Sequence, residues 1–208
     1  MKYFNSLPTI IKNDYNNNVV LATNLLTRAY FLPSLLKNVT LFYEYDLREG
    51  DTPEIIAHKY YGNVYKYWIV LYSNGIIDPQ SDWPLTSNQF ELYLNDKYSV
   101  QANGTPVLSY TTSTVHHYEK IITIQNSNDM YTQNNTVIID EDAYNSLSTS
   151  TVTRTLPDGS SVTQSISKSA ISIYDYEVNL NEDKRKINIM KDIYVEPLEN
   201  QFVKLMSV

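Results

Sequence analysis

The run Glu49-Gly50-Asp51-Thr52-Pro53-Glu54 leaves the chain around it little freedom. Gly50-Asp51 is a turn. The Thr52 hydroxyl suits a helix N-cap, and Pro53 fits the first helical position, where its missing N–H costs nothing. Glu54 then lies at the end of the helix dipole that favours a carboxylate. Ile56, Ala57, Tyr60 and Tyr61 form the apolar stripe of a short helix, and Gly62 is its expected stop. Tyr65, Trp68, Ile69 and Tyr72 follow at i, i+3, i+4 and i+7, predicting a second helix that Asn74-Gly75 ends. Upstream, Phe42 to Leu47 alternates as a strand, with Tyr43, Tyr45 and Leu47 on one face and Glu44 and Asp46 on the other. Residues 42–75 therefore read as strand, turn, helix, glycine, helix, turn.

The flanks divide into three further segments. Residues 1–40 open Asn-rich and continue through an apolar, helix-tolerant run from Val19 to Leu36, broken at Pro33, predicting an N-terminal helical arm. Residues 41–98 hold the patterned unit and end in a capped helix from Thr86, with Phe90, Tyr93 and Leu94 on one face. Residues 99–172 form a β-rich insertion, with strands expected at Val107–Tyr110, Tyr118–Ile124 and Thr136–Ile139 and a hairpin turning at Leu156-Pro157-Asp158-Gly159. The strands of that hairpin are polar on both faces, so their register is weakly specified unless another surface covers them. Residues 173–208 read as a hairpin, Tyr176, Val178 and Leu180 alternating before Asn181-Glu182-Asp183 and Ile187 and Ile189 after it. A helix starting at Pro197 follows, with Leu198, Phe202, Leu205 and Met206 as its stripe. The fold class is α+β.

Tyr45 to Asp78 resembles a LysM module: a Gly-Asp-Thr turn, a helix ending in Tyr-Gly, a second helix carrying an aromatic, and an Asn before the next strand. In that pattern Gly50, Asp51, Thr52, Tyr61, Gly62, Trp68 and Asn74 are structural, with Trp68 in the core. A LysM module closes with a short strand near Ile-Pro, whereas Trp83 to Leu94 reads as helix here. That departure, with Asn24, Leu25, Leu26 and Arg28 in a preceding helix, Asp78-Pro79, Trp83 and the C-terminal NEDKRKINIMK, is similar to the baseplate wedge proteins of contractile-tailed, T-even-type phages. The resemblance covers roughly residues 20–98 and 174–206. It implies a structural virion protein in which the LysM-like part bridges neighbouring wedges and the terminal arms bind the wedge scaffold. Its partners would be other wedge subunits and the neighbouring wedge, and its place the virion tail after synthesis in the host cytoplasm. Candidate contact residues are Tyr43, Tyr45, Tyr65, Trp83, Tyr93, Phe202 and Met206. The alternative is a LysM-type protein binding peptidoglycan or chitin in a groove between Gly50–Pro53 and Asn74–Pro79.

Composition and motifs narrow the chemistry. The chain of 208 residues has a net charge of −7, which opposes binding to phosphate backbones and anionic membranes. Its densest basic run, Lys184-Arg185-Lys186, follows Glu182-Asp183 directly. No run of about 18 apolar residues is long enough to span a bilayer, and the N-terminus lacks the apolar core and cleavage site of a signal peptide. Cysteine is absent, which removes disulfides and thiolate chemistry and suits a reducing compartment. Nineteen tyrosines stand against five glycines, and tyrosine offers large contact area at low rotamer entropy. No phosphate loop, dinucleotide fingerprint, nucleophile elbow or His-Glu-x-x-His motif is present. His58 reads as a surface residue. His116-His117 would alternate faces of a strand, Asp140-Glu141-Asp142 lacks the spaced ligands of a calcium loop, and Glu44 with Asp46 are ordinary strand-face charges. No enzyme activity, cofactor, metal or small-molecule ligand is expected.

Overall fold

The computed structural model describes residues 2–27, 29–127 and 132–206, so Arg28 lies outside the described residues. The chain forms two compact units. Unit 1 comprises residues 1–87 and 181–208, and unit 2 residues 88–180.

In unit 1, β1 (Thr9–Asn13) and β2 (Val19–Thr23) form an antiparallel hairpin, followed by the short helix α1 (Pro33–Leu36). The helical arm expected over Val19–Leu36 is therefore a hairpin with one helical turn after it. Asn17 adopts φ +64° at the hairpin tip, and Asp14 accepts hydrogen bonds from the backbone N–H groups of Asn16 and Asn18, so local Asx chemistry turns the chain where hydropathy suggested continuity. Next come β3 (Phe42–Asp46), α2 (Pro53–Tyr61), a 3-10 turn at Val64–Lys66 and α3 (Tyr67–Ser73). Thr52 Oγ1 accepts from Ile55 N, and Gly62 sits in the left-handed region at φ +63°. A Cβ at Gly62 would meet no atom within 4 Å, so substitution there strains the backbone alone. Gly62→Val is accordingly expected to cost about 1–2 kcal/mol, read from denaturant unfolding; unchanged stability would show that the cap does not require a left-handed residue.

The strand that closes this unit comes from the far end of the chain. β8 (Lys186–Met190) pairs antiparallel with β3, setting Tyr43 opposite Ile189 and Tyr45 opposite Ile187. Ile187 and Ile189 are buried with Ile56, Ala57, Trp68, Ile69 and Val70 in one core, and Phe42 and Met190, on the other strand face, are buried as well. Residues 186–190 thus do not form a hairpin with Tyr176–Leu180 as expected. Unit 1 also holds α4 (Pro79–Asp82) and α9 (Asp192–Met206), whose Val195, Phe202 and Met206 join the core. α9 begins at Asp192, five residues before the expected start, and Pro197 lies inside it.

Unit 2 is built from α5 (Ser87–Ala102), α6 (Val107–Ser113), β4 (Val115–Asn126), β5 (Thr132–Ile139), α7 (Glu141–Ser146), β6 (Ser150–Thr155), β7 (Ser161–Ser172) and α8 (Ile173–Asp183), except that Ser87 and the last turn of α8 from Asn181 belong to unit 1. The four strands make an antiparallel sheet in the order β5-β4-β7-β6. Val107–Tyr110, expected as a strand, is helical: Pro106 stands at the N-cap, and the Thr111 and Thr112 hydroxyls donate back to the carbonyls of Val107 and Leu108. The hairpin at Pro157-Asp158-Gly159 forms as expected, with Asp158 Oδ1 accepting from Ser160 N at 3.0 Å. Its register holds because β7 is paired on its other side with β4. Tyr176–Leu180, expected as a strand, lies in α8.

Candidate functional site

The Gly-Asp-Thr turn organises one cluster of aromatic residues. Asp51 Oδ2 accepts from the Tyr45 hydroxyl and from Arg48 N, both at 2.9 Å, so the carboxylate fixes the ring and the turn together. Lys59 Nζ donates to the Tyr45 hydroxyl at 3.1 Å and lies 4.7 Å over that ring. This hydrogen bond raises the Lys59 ammonium above its ordinary value. The Trp83 indole N–H donates to the Asp51 carbonyl at 2.9 Å, which brings residues 78–87 onto the turn. Glu49 reinforces the join by accepting from Ser87 N at 2.8 Å, and that bond holds its carboxyl below the usual range.

Two asparagine side chains act as one-residue strands. Asn74 Oδ1 accepts from Asn188 N at 2.7 Å, while its Nδ2 donates to the Asn188 carbonyl at 2.9 Å. The same Nδ2 reaches the Val70 carbonyl at the end of α3. Asn74 therefore ends a helix and occupies the outer edge of β8, where an unpaired backbone invites association. Asn181 repeats the device on Leu85, accepting from its N–H at 2.7 Å and donating to its carbonyl at 3.1 Å.

The expected contact residues separate by exposure. Tyr43 is 55% exposed and Tyr65 47%. Each has a lysine over its ring: Lys191 Nζ lies 5.1 Å from the Tyr43 ring centre and Lys2 Nζ 4.8 Å from that of Tyr65. Tyr65 precedes α3, held by Asn63 Oδ1 accepting from its backbone N–H, so it leaves the stripe it was read into. Tyr45 is half-buried in the cluster above. Trp83, Phe202 and Met206 are buried in the core of unit 1 and offer no free surface. Of the motif residues, Tyr61 is buried and donates its hydroxyl to the Met190 carbonyl at 3.0 Å, burial pushing that hydroxyl well above the ordinary tyrosine value. Trp68 lies against Tyr3, Tyr72 and Phe202.

Tyr93 belongs to a network in unit 2 that the sequence did not reveal. Glu177 on α8 is buried, and its carboxylate accepts from Lys97 Nζ at 2.7 Å, the Tyr98 hydroxyl at 2.6 Å and the Tyr93 hydroxyl at 3.0 Å, all on α5. Burial alone would raise this carboxyl, but the three donors outweigh it and hold it below the ordinary value.

Asp140 caps α7 by accepting from Ala143 N, leaving Glu141 and Asp142 in the favourable first turn. A register shift at His116 brings the Nδ1 atoms of His116 and His117 to 2.8 Å, and the His116 ring stacks on Tyr176 at 3.9 Å. Among the described residues no group of three or more His, Asp or Glu side chains is placed to hold a metal ion. Within the basic run, Arg185 is engaged by Glu182 and Glu49, and Lys184 donates to the Ser81 carbonyl.

No individual curated protein matches the chain. The family model described as base plate wedge protein 53 matches residues 6–205, which takes in both units. The reach of that match, from the first turn to the last helix, places the chain in the phage base plate wedge protein 53 family, structural proteins of the virion tail baseplate.

Proposed function

We propose that this protein joins neighbouring wedges during assembly of a contractile tail baseplate, acting by binding and not by catalysis. The observation that carries the reading is the pair of half-exposed tyrosines on unit 1, Tyr43 and Tyr65, each with a lysine over its ring. Large rigid rings with polar tips are what a protein interface uses for area at low entropy. The strand, two helices and closing strand around them form a LysM-like scaffold whose outward tyrosines serve protein contact. Synthesis in the host cytoplasm fits a chain without cysteine.

The test mixes the purified protein with single wedges assembled from the same phage's other wedge subunits and follows their joining by sedimentation. Wild type is expected to join them. Tyr43→Ala combined with Tyr65→Ala is expected to keep its melting temperature and to weaken joining by at least about 30-fold, the scale of one lost hot spot. Undiminished joining by the double variant would remove these rings from the interface. Retention of wild type on chitin or peptidoglycan, competed by N-acetylglucosamine oligomers and without wedge joining, would replace this reading with the glycan-binding one.

A further inference from the structure

The β1–β2 hairpin is rooted in unit 1 at both ends, by Tyr3 and Leu7 before it and by Phe31 and Leu35 after it. Between these roots, among the described residues, the two strands pair only with each other. The register puts Ile11, Val19 and Leu21 on one face, with Ile10, Val20 and Ala22 on the other. Ile11, Val19 and Leu21 are each at least 70% exposed. A lone two-stranded ribbon is marginal in water, and contiguous exposed apolar side chains mark an interaction site.

Three observations narrow what covers it. The two edges differ: β1 carries Lys12 and follows Pro8, both of which discourage strand addition, whereas β2, Val-Val-Leu-Ala-Thr, has no charge, proline or bulge. The tip is polar, and the hydrogen bonds that Asp14 accepts from Asn18 and Asn16 hold its carboxyl below the ordinary value, so it is charged at neutral pH. A charged tip on a shaft whose described residues include one lysine suits a protein cleft open at its far end and not entry into a bilayer. The third observation is the phase of the ladder. Asp14 N donates to the Asn18 carbonyl and Asn24 N to the Pro8 carbonyl, and bonded pairs alternate along an antiparallel ladder. Val20 and Ala22 therefore bond to β1, while the N–H and C=O groups of Val19, Leu21 and Thr23 point away from it.

We propose that the free edge of β2 takes up an extended, uncharged strand of another baseplate subunit, whose apolar side chains cover Ile11, Val19 and Leu21. This rests on the reading of the protein as a wedge-joining subunit.

The experiment measures hydrogen exchange at single amides of the full chain, alone, with each purified wedge subunit of the same phage, and with anionic phosphatidylglycerol vesicles. With one wedge subunit, the Leu21 and Thr23 amides are expected to slow by at least about tenfold, and more than those of Val20 and Ala22, which already have partners. Leu21→Asp is expected to keep the wild-type melting temperature, since Leu21 is 75% exposed and lies outside the core of the described residues, and to lose at least about 30-fold in affinity for that subunit. A complex that forms without slowing Leu21 and Thr23, or that tolerates Leu21→Asp, overturns strand addition and leaves wedge joining standing. Slowing on vesicles alone would assign the hairpin to lipid. Slowing that depends only on the protein's own concentration would assign it to a second copy. Failure of every wedge subunit to bind would overturn wedge joining together with the strand proposal.

Discussion

Trp68→Ala is expected to lower the unfolding free energy of unit 1 by about 3–5 kcal/mol, the range for deleting a large aromatic from a packed core. The indole is 2% exposed, with ring centres of Phe202 at 5.0 Å, Tyr3 at 5.7 Å and Tyr72 at 5.8 Å. Those three rings come from α9, the first turn of the chain and α3, so the cavity would open where both chain ends meet the helices. Among the described residues its buried indole N–H has no acceptor, and an unpaired buried donor is itself costly. Trp68→Phe, which removes that donor and keeps one ring, is expected to cost less than half as much as the alanine variant. Both tryptophans lie in unit 1, so Trp83 fluorescence still reports its denaturant unfolding in either variant. Stability of Trp68→Ala within about 1 kcal/mol of wild type would deny that the ring is core.

Glu177→Ala is expected to destabilise unit 2 by about 3 kcal/mol, the lower end for breaking a buried ion pair. The lower end applies because the Lys97 side chain, 43% exposed, turns to water when its partner is lost. The pH dependence follows from the directions of the shifts. The folded carboxyl lies below its ordinary value of 4.5, so its contribution is complete above about pH 4.5 and is lost as pH falls through the folded value. Burial and the neighbouring Glu177 push the Tyr98 hydroxyl up to about 12, so that contribution is complete below pH 10 and is lost as pH rises through about 12. Unit 2 should thus be most stable between these limits. Glu177→Gln, measured by chemical unfolding across the acid range, should flatten the acid limb. An acid limb identical to wild type would assign the loss of stability to other carboxylates.

Residues 42–75 were legible because their determinants act within a few positions: a threonine cap, a proline at the first helical position, a left-handed glycine. α8 was hidden for a physical reason. Its buried positions are Ile173, Glu177 and Asn181, at i, i+4 and i+8. Two of the three are polar, so hydropathy shows no stripe, while Tyr176, Val178 and Leu180 imitate a strand. The partner of β3 was hidden by distance, since β8 alternates much as any half-buried strand does and nothing local says what it pairs with. Among the candidate site residues, type alone did not separate surface from core. Phe202 and Met206 lie inside because α9 packs Val195, Leu198, Phe202 and Met206 onto its own unit, leaving Leu205 of the expected stripe 71% exposed, and Trp83 is drawn in by the Asp51 carbonyl.

The pairing of β3 with β8 also sets the order in which the protein becomes whole as the ribosome makes it. β3 leaves the ribosome early, yet its partner follows only after all of unit 2 has been synthesised. A nascent chain released before residue 186 lacks β8 and α9, and with them Ile187, Ile189, Val195 and Phe202 from its core. Such a fragment cannot close the scaffold that carries Tyr43 and Tyr65. Unit 1 is therefore finished only when translation has passed the C-terminal helix, and a truncated copy lacks a complete core.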